Sequence, residues 1–276
     1  PSTAKEARRH VETNIKPHFG RLRLSDLKRS DVKKWHSGFA QQTYEGNHAL
    51  SYFRKALNLA LKEWELIDVN PAAAIKKFPE YARDRYFSEE ELMRIGRALN
   101  ELEAQPAMHP GALTAIRLLA LTGMRLSEVL NLEWRHVLLP SAAIELPDAK
   151  SGARVVPLGE AAVAYLATLP RGSDYVCPAR SQDAPVPLKS FRRLWKKVVD
   201  LAALENARPH DFRHTAGTYV AQAGQNAFIV RDLLGHKTMA MTGRYVSKSV
   251  PPWRAAADEV SARIAGALME PLQKVD

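Results

Sequence analysis

The sequence predicts a mainly α-helical protein with a small antiparallel β-sheet, divided into two domains. Three observations predict it. Apolar residues recur at helical spacing over most of the chain. One run, 141–159, alternates more like strands. The stretch FPEYARDRY, 78–86, is polar, charged and carries a proline, and so reads as a linker, placed at about 79–86. A chain of 276 residues can bury a real core in one large or two ordinary domains. Its 46% hydrophobic and 25% charged composition is that of a soluble globular protein.

The elements follow in order. Residues 3–16 read as a helix ended by a Pro17–Gly20 turn. Ser30 is expected to cap SDVKKWHSGFAQ, with Val32, Trp35 and Phe39 at helical spacing. A longer amphipathic helix is expected over 47–67, its stripe made of Leu50, Phe53, Leu57, Ala60, Leu61 and Trp64. Pro71 follows its end, closing an all-α module. Beyond the linker, SEEE at 88–91 is a capping box. Helices fit 89–104 and 110–122. In the alternating run, Ser151-Gly152 reads as a hairpin turn with Lys150 at its lip. Helices then fit about 160–168, 188–204, 209–223, 226–234, 238–246 and 252–269.

Composition excludes several classes. The single cysteine, Cys177, rules out an internal disulfide framework and a four-cysteine zinc module, and fits a reducing compartment. No apolar run reaches the roughly 18 residues of a membrane span, and no secretory leader is expected. Because the first residue is Pro1, the chain is expected to be a fragment or a processed product. The formal charge is +10: residues 1–80 hold 15 Lys/Arg against 9 Asp/Glu, and residues 81–276 hold 25 against 21. Such a balance favours a polyanionic partner, since each neutralised phosphate releases counterions.

The chemistry concentrates in three short stretches. In PHDFRHTAGTY, 209–219, Phe212, Ala216, Tyr219, Val220 and Ala223 share one helix side, and His210, Arg213, His214 and Gly217 the other. Pro209, at the expected first helical position, puts His210 at the positive helix end. The H-x-x-x-H spacing resembles a zinc motif, but Arg213 lies between the two histidines, Asp211 is shorter than the needed Glu, and no third ligand is indicated. The face therefore reads as anion-attracting, or simply as a solvated polar face. In TGMRLSEVLNL, 122–132, Ser127 is expected to cap a short helix. Arg125 beside Glu128 is either a phosphate-directed fork or a surface ion pair. LLGHKTMAMTGRYVS, 233–247, contains G-H-K-T but lacks the glycine spacing of a P-loop, and neither G-x-G-x-x-G nor G-x-S-x-G occurs.

Taken together, Arg125, Lys150 on a hairpin, H-x-x-R at 210–213, G-H at 235–236 and Tyr245 resemble, in order and spacing, the tyrosine recombinase (phage integrase) family. The resemblance covers nearly the whole chain. It implies a helical core-DNA-binding (SAM-like) domain over 1–80 and an α+β catalytic domain over 81–276. Ser247 departs from the family, where His is common two residues after the tyrosine. The family's amino-terminal arm-binding domain is not visible, in keeping with the abrupt Pro1.

The resemblance further implies a prophage or mobile-element integrase that cuts and rejoins DNA through a 3′-phosphotyrosine, without metal or other cofactor. It makes Tyr245 the nucleophile, Arg125 and Arg213 the phosphate clamps, and Lys150 the proton donor to the leaving 5′-oxygen. His210 assists proton removal from Tyr245, and His236 orients the phosphate. Glu128 supports Arg125, and His214 lies behind this set. Lys33, Lys34, Arg54, Lys55, Arg83 and Arg85 become candidate backbone contacts. The implied partners are the double-stranded core of an attachment site, three further copies in a tetramer on DNA, and accessory DNA-bending proteins. The implied location is the nucleoid of a bacterial cytoplasm, with no membrane. The last helix, with Trp253, Ala257, Val260, Ile264 and Leu268 on one stripe, docks in cis or on a neighbouring subunit. The rival readings are type IB topoisomerase-like relaxation, a catalytically silent DNA-binding protein on the same fold, and a zinc hydrolase.

Overall fold

The computed structural model describes residues 2–80, 83–105, 108–147, 152–235, 238–246 and 260. The chain divides into two compact units, Pro1–Arg83 and Asp84–Asp276. The described residues are mainly helical, with one three-stranded antiparallel sheet. No helix among them is long and apolar enough to cross a membrane.

In the first unit, α1 (Ser2–His10) runs into a π-helical turn, Val11–Ile15, and then α2 (Lys16–Phe19). The helix thus continues through Pro17 instead of ending there. Pro17 sits in the first turn of α2, and the wider turn before it relieves the ring's clash with the preceding backbone. In α3 (Arg29–Ser37) the cap position is Lys28, not Ser30: the Asp31 carboxylate accepts the Lys28 backbone N–H at 3.0 Å. This helix stops at Gly38, and α4 (Thr43–Lys62) begins four residues before the expected start. Val32, Trp35, Leu50, Phe53 and Leu57 are buried together. Phe19 stacks on Phe53, centroids 4.8 Å apart, and Trp35 packs edge-on against both. Trp64, expected on the apolar stripe, lies beyond the end of α4 and is 60% exposed.

The second unit opens with α5 (Glu89–Glu103). Ser88 Oγ accepts the Glu91 N–H at 3.2 Å and the Glu91 carboxylate accepts the Ser88 N–H at 3.1 Å, the capping box the sequence predicts. Then come α6 (Pro110–Thr122) and α7 (Leu126–Leu130), whose cap position is Arg125 and not Ser127. The sheet is β1 (Val137–Leu138), β2 (Ala143–Leu146) and β3 (Arg154–Pro157) in that order. The β2–β3 hairpin pairs Ala143 with Pro157 and Leu146 with Arg154. β1 has two residues, too few to show alternation. The remaining helices are α8 (Glu160–Thr168), α9 (Leu188–Leu201), α10 (Asp211–Gln222), α11 (Ala227–Leu234) and α12 (Met239–Val246). The helix expected over 252–269 falls outside the described residues, as do Lys150, Ser151 and Ser247.

The second core gathers α5, α6, α9 and α10 around Phe87, Phe191 and Phe212. Cys177 lies inside it, and burial pushes its thiol up, away from reactivity. At Gly111, α6 lies directly on the 177–178 backbone. An added Cβ would overlap the Pro178 carbonyl oxygen and sit 3.0 Å from the Pro178 nitrogen. Backbone on both sides leaves no flexible group to yield. Gly111→Ala is therefore expected to destabilise the second unit by about 3 kcal/mol, read as a lowered denaturant midpoint.

Candidate active site

Two helix C-termini build the site. α6 ends at Gly123 (φ +60°) and α11 ends at Gly235 (φ +59°), both left-handed positions that favour glycine. Each end presents carbonyl oxygens with the negative end of the helix dipole. Arg213, on α10, spans the two. Its Nη1 donates to the Gly123 carbonyl at 2.9 Å, and its Nη2 donates to the Leu234 carbonyl. The sequence placed Arg213 on a polar, outward face, yet it is only 3% exposed. The reason is tertiary: α10 is covered by neighbouring helices on more than its apolar side, lying beside α6, α11 and α12.

Arg125 reaches the same turn from the other direction. Its Nη2 donates to the Gly235 carbonyl at 3.1 Å. Its Nη1 donates to Glu128 Oε1 at 2.7 Å, and its backbone N–H donates to Glu128 Oε2 at 3.0 Å. Glu128 therefore accepts both a side-chain and the backbone N–H of Arg125. Arg154, which the sequence reading did not single out, also donates to Glu128 Oε2, at 2.7 Å. Burial would raise the Glu128 carboxyl. The Arg125 backbone N–H and the Arg154 and Arg125 guanidinium groups outweigh that and hold it below the usual carboxylate range.

His210 occupies the cap position of α10 and is exposed; Pro209 therefore precedes the helix and does not open it. The His214 ring stands perpendicular to it, centroids 5.0 Å apart. Asp211 is buried and accepts the Arg208 backbone N–H at 2.8 Å, so this carboxylate serves the helix start. Thr215 accepts the Phe87 backbone N–H, and Tyr219 Oη donates to the Phe87 carbonyl, tying α10 to the segment before α5. Tyr245 lies on α12, but its side chain is outside the described residues, as are Lys150 and His236. The structure therefore brings Arg125, Glu128 and Arg213 together around Gly235, the residue before His236.

Among the described residues, one His/carboxylate group is close enough to share an ion: Glu6, His10 and His48, in the first unit. There the Arg9 guanidinium lies 2.9 Å from His10 Nε2, a cation beside the would-be ligand.

The six expected DNA contacts divide. Lys33, Lys34 and Lys55 are exposed. Arg54 donates to the Ala72 and Ile75 carbonyls at 3.0 and 2.6 Å, and Arg85 pairs with Glu91 at 2.7 Å and donates to the Glu205 carbonyl. Both serve their own folds. Arg83 is half-buried. A cleft between the starts of α6 and α9, lined by His109, Arg180, Lys189, Arg193 and Lys197 without an acidic residue, was missed. Only the basic spacing Lys189, Arg193 and Lys197 on one face of α9 could have signalled it.

In this mainly helical unit, Arg125 and Arg154 on one carboxylate and Arg213 at two helix ends form a cluster of fixed guanidinium groups, an arrangement of the kind that can bind an anion. The sequence profile of the phage integrase family matches residues 85–250, and the chain belongs to that family, the tyrosine recombinases. It is 29% identical over 204 residues to the shufflon-specific DNA recombinase of Escherichia coli, covering 71% of this chain and 49% of that protein. It is 30% identical over 151 residues to tyrosine recombinase XerD of Staphylococcus aureus, covering 49% of this chain and 50% of that one. The chain spans about half the length of these curated relatives. The fold is shared with a lambda integrase dimer bound to a COC′ core site (TM-score 0.73, 17% identity, 89% of this chain and 71% of that one). It is shared equally with the Tn1549 transposon integrase in complex with transposon right end DNA (TM-score 0.73, 19% identity, 94% of each chain).

Proposed function

We propose that this chain is a site-specific DNA recombinase, an integrase of a phage or mobile element, with a catalytic domain over 81–276 and a core-DNA-binding domain over 1–80. One observation carries the reading: Arg125 and Arg213 converge on the Leu234–Gly235 turn, which precedes His236 in the sequence, in a chain of this family.

In the proposed step the Tyr245 oxygen attacks a DNA phosphorus, and the bond from phosphorus to the 5′-oxygen breaks. His210 takes the tyrosine proton, and Lys150 gives one to the leaving 5′-oxygen. Arg125 and Arg213 hold the non-bridging oxygens and stabilise the charge that builds up there. His236 hydrogen-bonds the phosphate, and His214 stands behind His210. Two fixed guanidinium groups supply the charge a divalent ion would otherwise bring, so no cofactor enters the step. A 5′-hydroxyl of the partner strand reverses the step, conserving the bond energy. Lys33, Lys34, Lys55 and the α9 cleft would hold the DNA backbone. Four copies on two duplexes, with accessory bending proteins, would complete the reaction in a bacterial nucleoid.

The test is a nicked suicide duplex spanning the ends of the encoding element. A covalent protein–DNA adduct that survives EDTA and disappears in Tyr245→Phe is expected. An adduct persisting in Tyr245→Phe would reject the nucleophile. Relaxation of supercoiled DNA without exchange between two labelled duplexes would favour the topoisomerase reading instead.

A further inference from the structure

We infer that Arg154 is a positioning residue of this site, locking the Glu128–Arg125 pair and the Gly235 turn to strand β3. The inference rests on the recombinase reading above for its kinetic consequence, but its geometry stands alone. Arg154 Nη2 donates to the Glu128 oxygen that also accepts the Arg125 backbone N–H. One carboxylate therefore holds two guanidinium groups, at 2.7 Å each, with side chains of Arg154 and Glu128 only 10% and 7% exposed.

The contact with the turn is equally close. A Cβ at Gly235 would lie 2.7 Å from Arg154 Cδ and 2.9 Å from its Nη1, so the arginine as placed packs against the glycine. Arg154 Nη1 also reaches the Leu233 carbonyl at 3.5 Å, while Arg125 holds the Gly235 carbonyl. Arg154 Nε is buried with no acceptor. An arginine kept there against that cost is held by its other end.

The sequence positions give this clamp its consequence. Arg154, on β3, comes four residues after Lys150 in the sequence, and Gly235 immediately precedes His236. One side chain thus links the strand following Lys150, the residue preceding His236 and the carboxylate fixing Arg125. Its role in the proposed reaction is to act through these groups.

The test compares Arg154→Met and Arg154→Lys with the unaltered full chain on the same nicked duplex. At saturating DNA, Arg154→Met is expected to slow adduct formation about 100-fold, since small misplacement of reacting groups costs that much. The DNA concentration giving half-maximal rate stays unchanged. Arg154→Lys, keeping one charged contact to Glu128, is expected to recover part of the rate. In DNA-free protein, the Arg125 Nε–Hε nuclear magnetic resonance signal is expected to shift in Arg154→Met and less in Arg154→Lys. An unchanged rate, or an unmoved Arg125 signal in both variants, overturns the inference. So does a rate loss matched by lost DNA affinity alone. Should the unaltered chain form no adduct, the recombinase reading falls while the Arg125 signal still decides the clamp. Should Arg154→Met fail to fold, the same two readouts on Arg154→Lys decide it.

Discussion

Arg213→Ala is expected to abolish measurable adduct formation, with a rate loss of about 1,000-fold or more, and to lower the stability of the second unit by about 3 kcal/mol. The two effects share one cause. Arg213 is buried, and its fork joins the Gly123 and Leu234 carbonyls, the ends of α6 and α11. Truncation deprives both carbonyls of this donor and leaves the space of a long side chain. It also removes a cation from the negative ends of two helices. In the proposed reaction it takes away one of two groups facing the developing phosphate charge. Arg213→Lys separates these roles. A single ammonium keeps the charge but cannot span both carbonyls as a planar fork does. It should regain part of the stability and little of the rate. Denaturant midpoints and single-turnover adduct formation at saturating DNA measure the two. A lysine variant within about tenfold of the unaltered rate would show that point charge suffices and that the fork geometry has no catalytic consequence.

The setting of Arg213 was only half legible in the sequence. The spacing of His210 and Arg213 on one helix face is local, and local periodicity marks a polar face well. What covers that face is decided by residues such as Gly123 and Leu234, 90 and 21 positions away, and no periodicity encodes them. The capping box at Ser88 was legible because all its partners lie within four residues. Ser30 and Ser127 were read as caps by residue type alone. In both cases the start is set by an acidic residue, Asp31 or Glu128, accepting the N–H three residues before it. The π turn ahead of Pro17 was hidden because proline reads as a stop wherever its ring cannot be accommodated. Arg54 and Arg85 looked like surface cations, but each finds acceptors that only the folded unit supplies. Arg154 was illegible for a related reason. In a strand pattern it is one polar position among several, and its partners Glu128 and Gly235 come from α7 and from the end of α11.

Glu128→Gln is expected to cost about 3 kcal/mol at neutral pH and to slow adduct formation about 100-fold at unchanged DNA affinity. The amide keeps the shape but has one acceptor oxygen where the carboxylate uses two. Its NH2 group would face a guanidinium. Arg125 and Arg154 would then repel each other without a counter-charge between them. The pH dependence has a definite sign. The folded Glu128 carboxyl lies below its ordinary 4.5, because hydrogen bonds to the ionised form outweigh burial. Its contribution to stability is therefore complete above that ordinary value and is lost as pH falls through the lowered one. The stability gap between the unaltered chain and Glu128→Gln should be widest at neutral pH and shrink in acid. Denaturant titrations of both chains from pH 7 down to about 3 measure it across that carboxylate range. A gap that stays constant with pH would mean that the carboxylate's charge contributes nothing. Shape and hydrogen-bond count would then be all that hold Arg125 at the Gly235 turn.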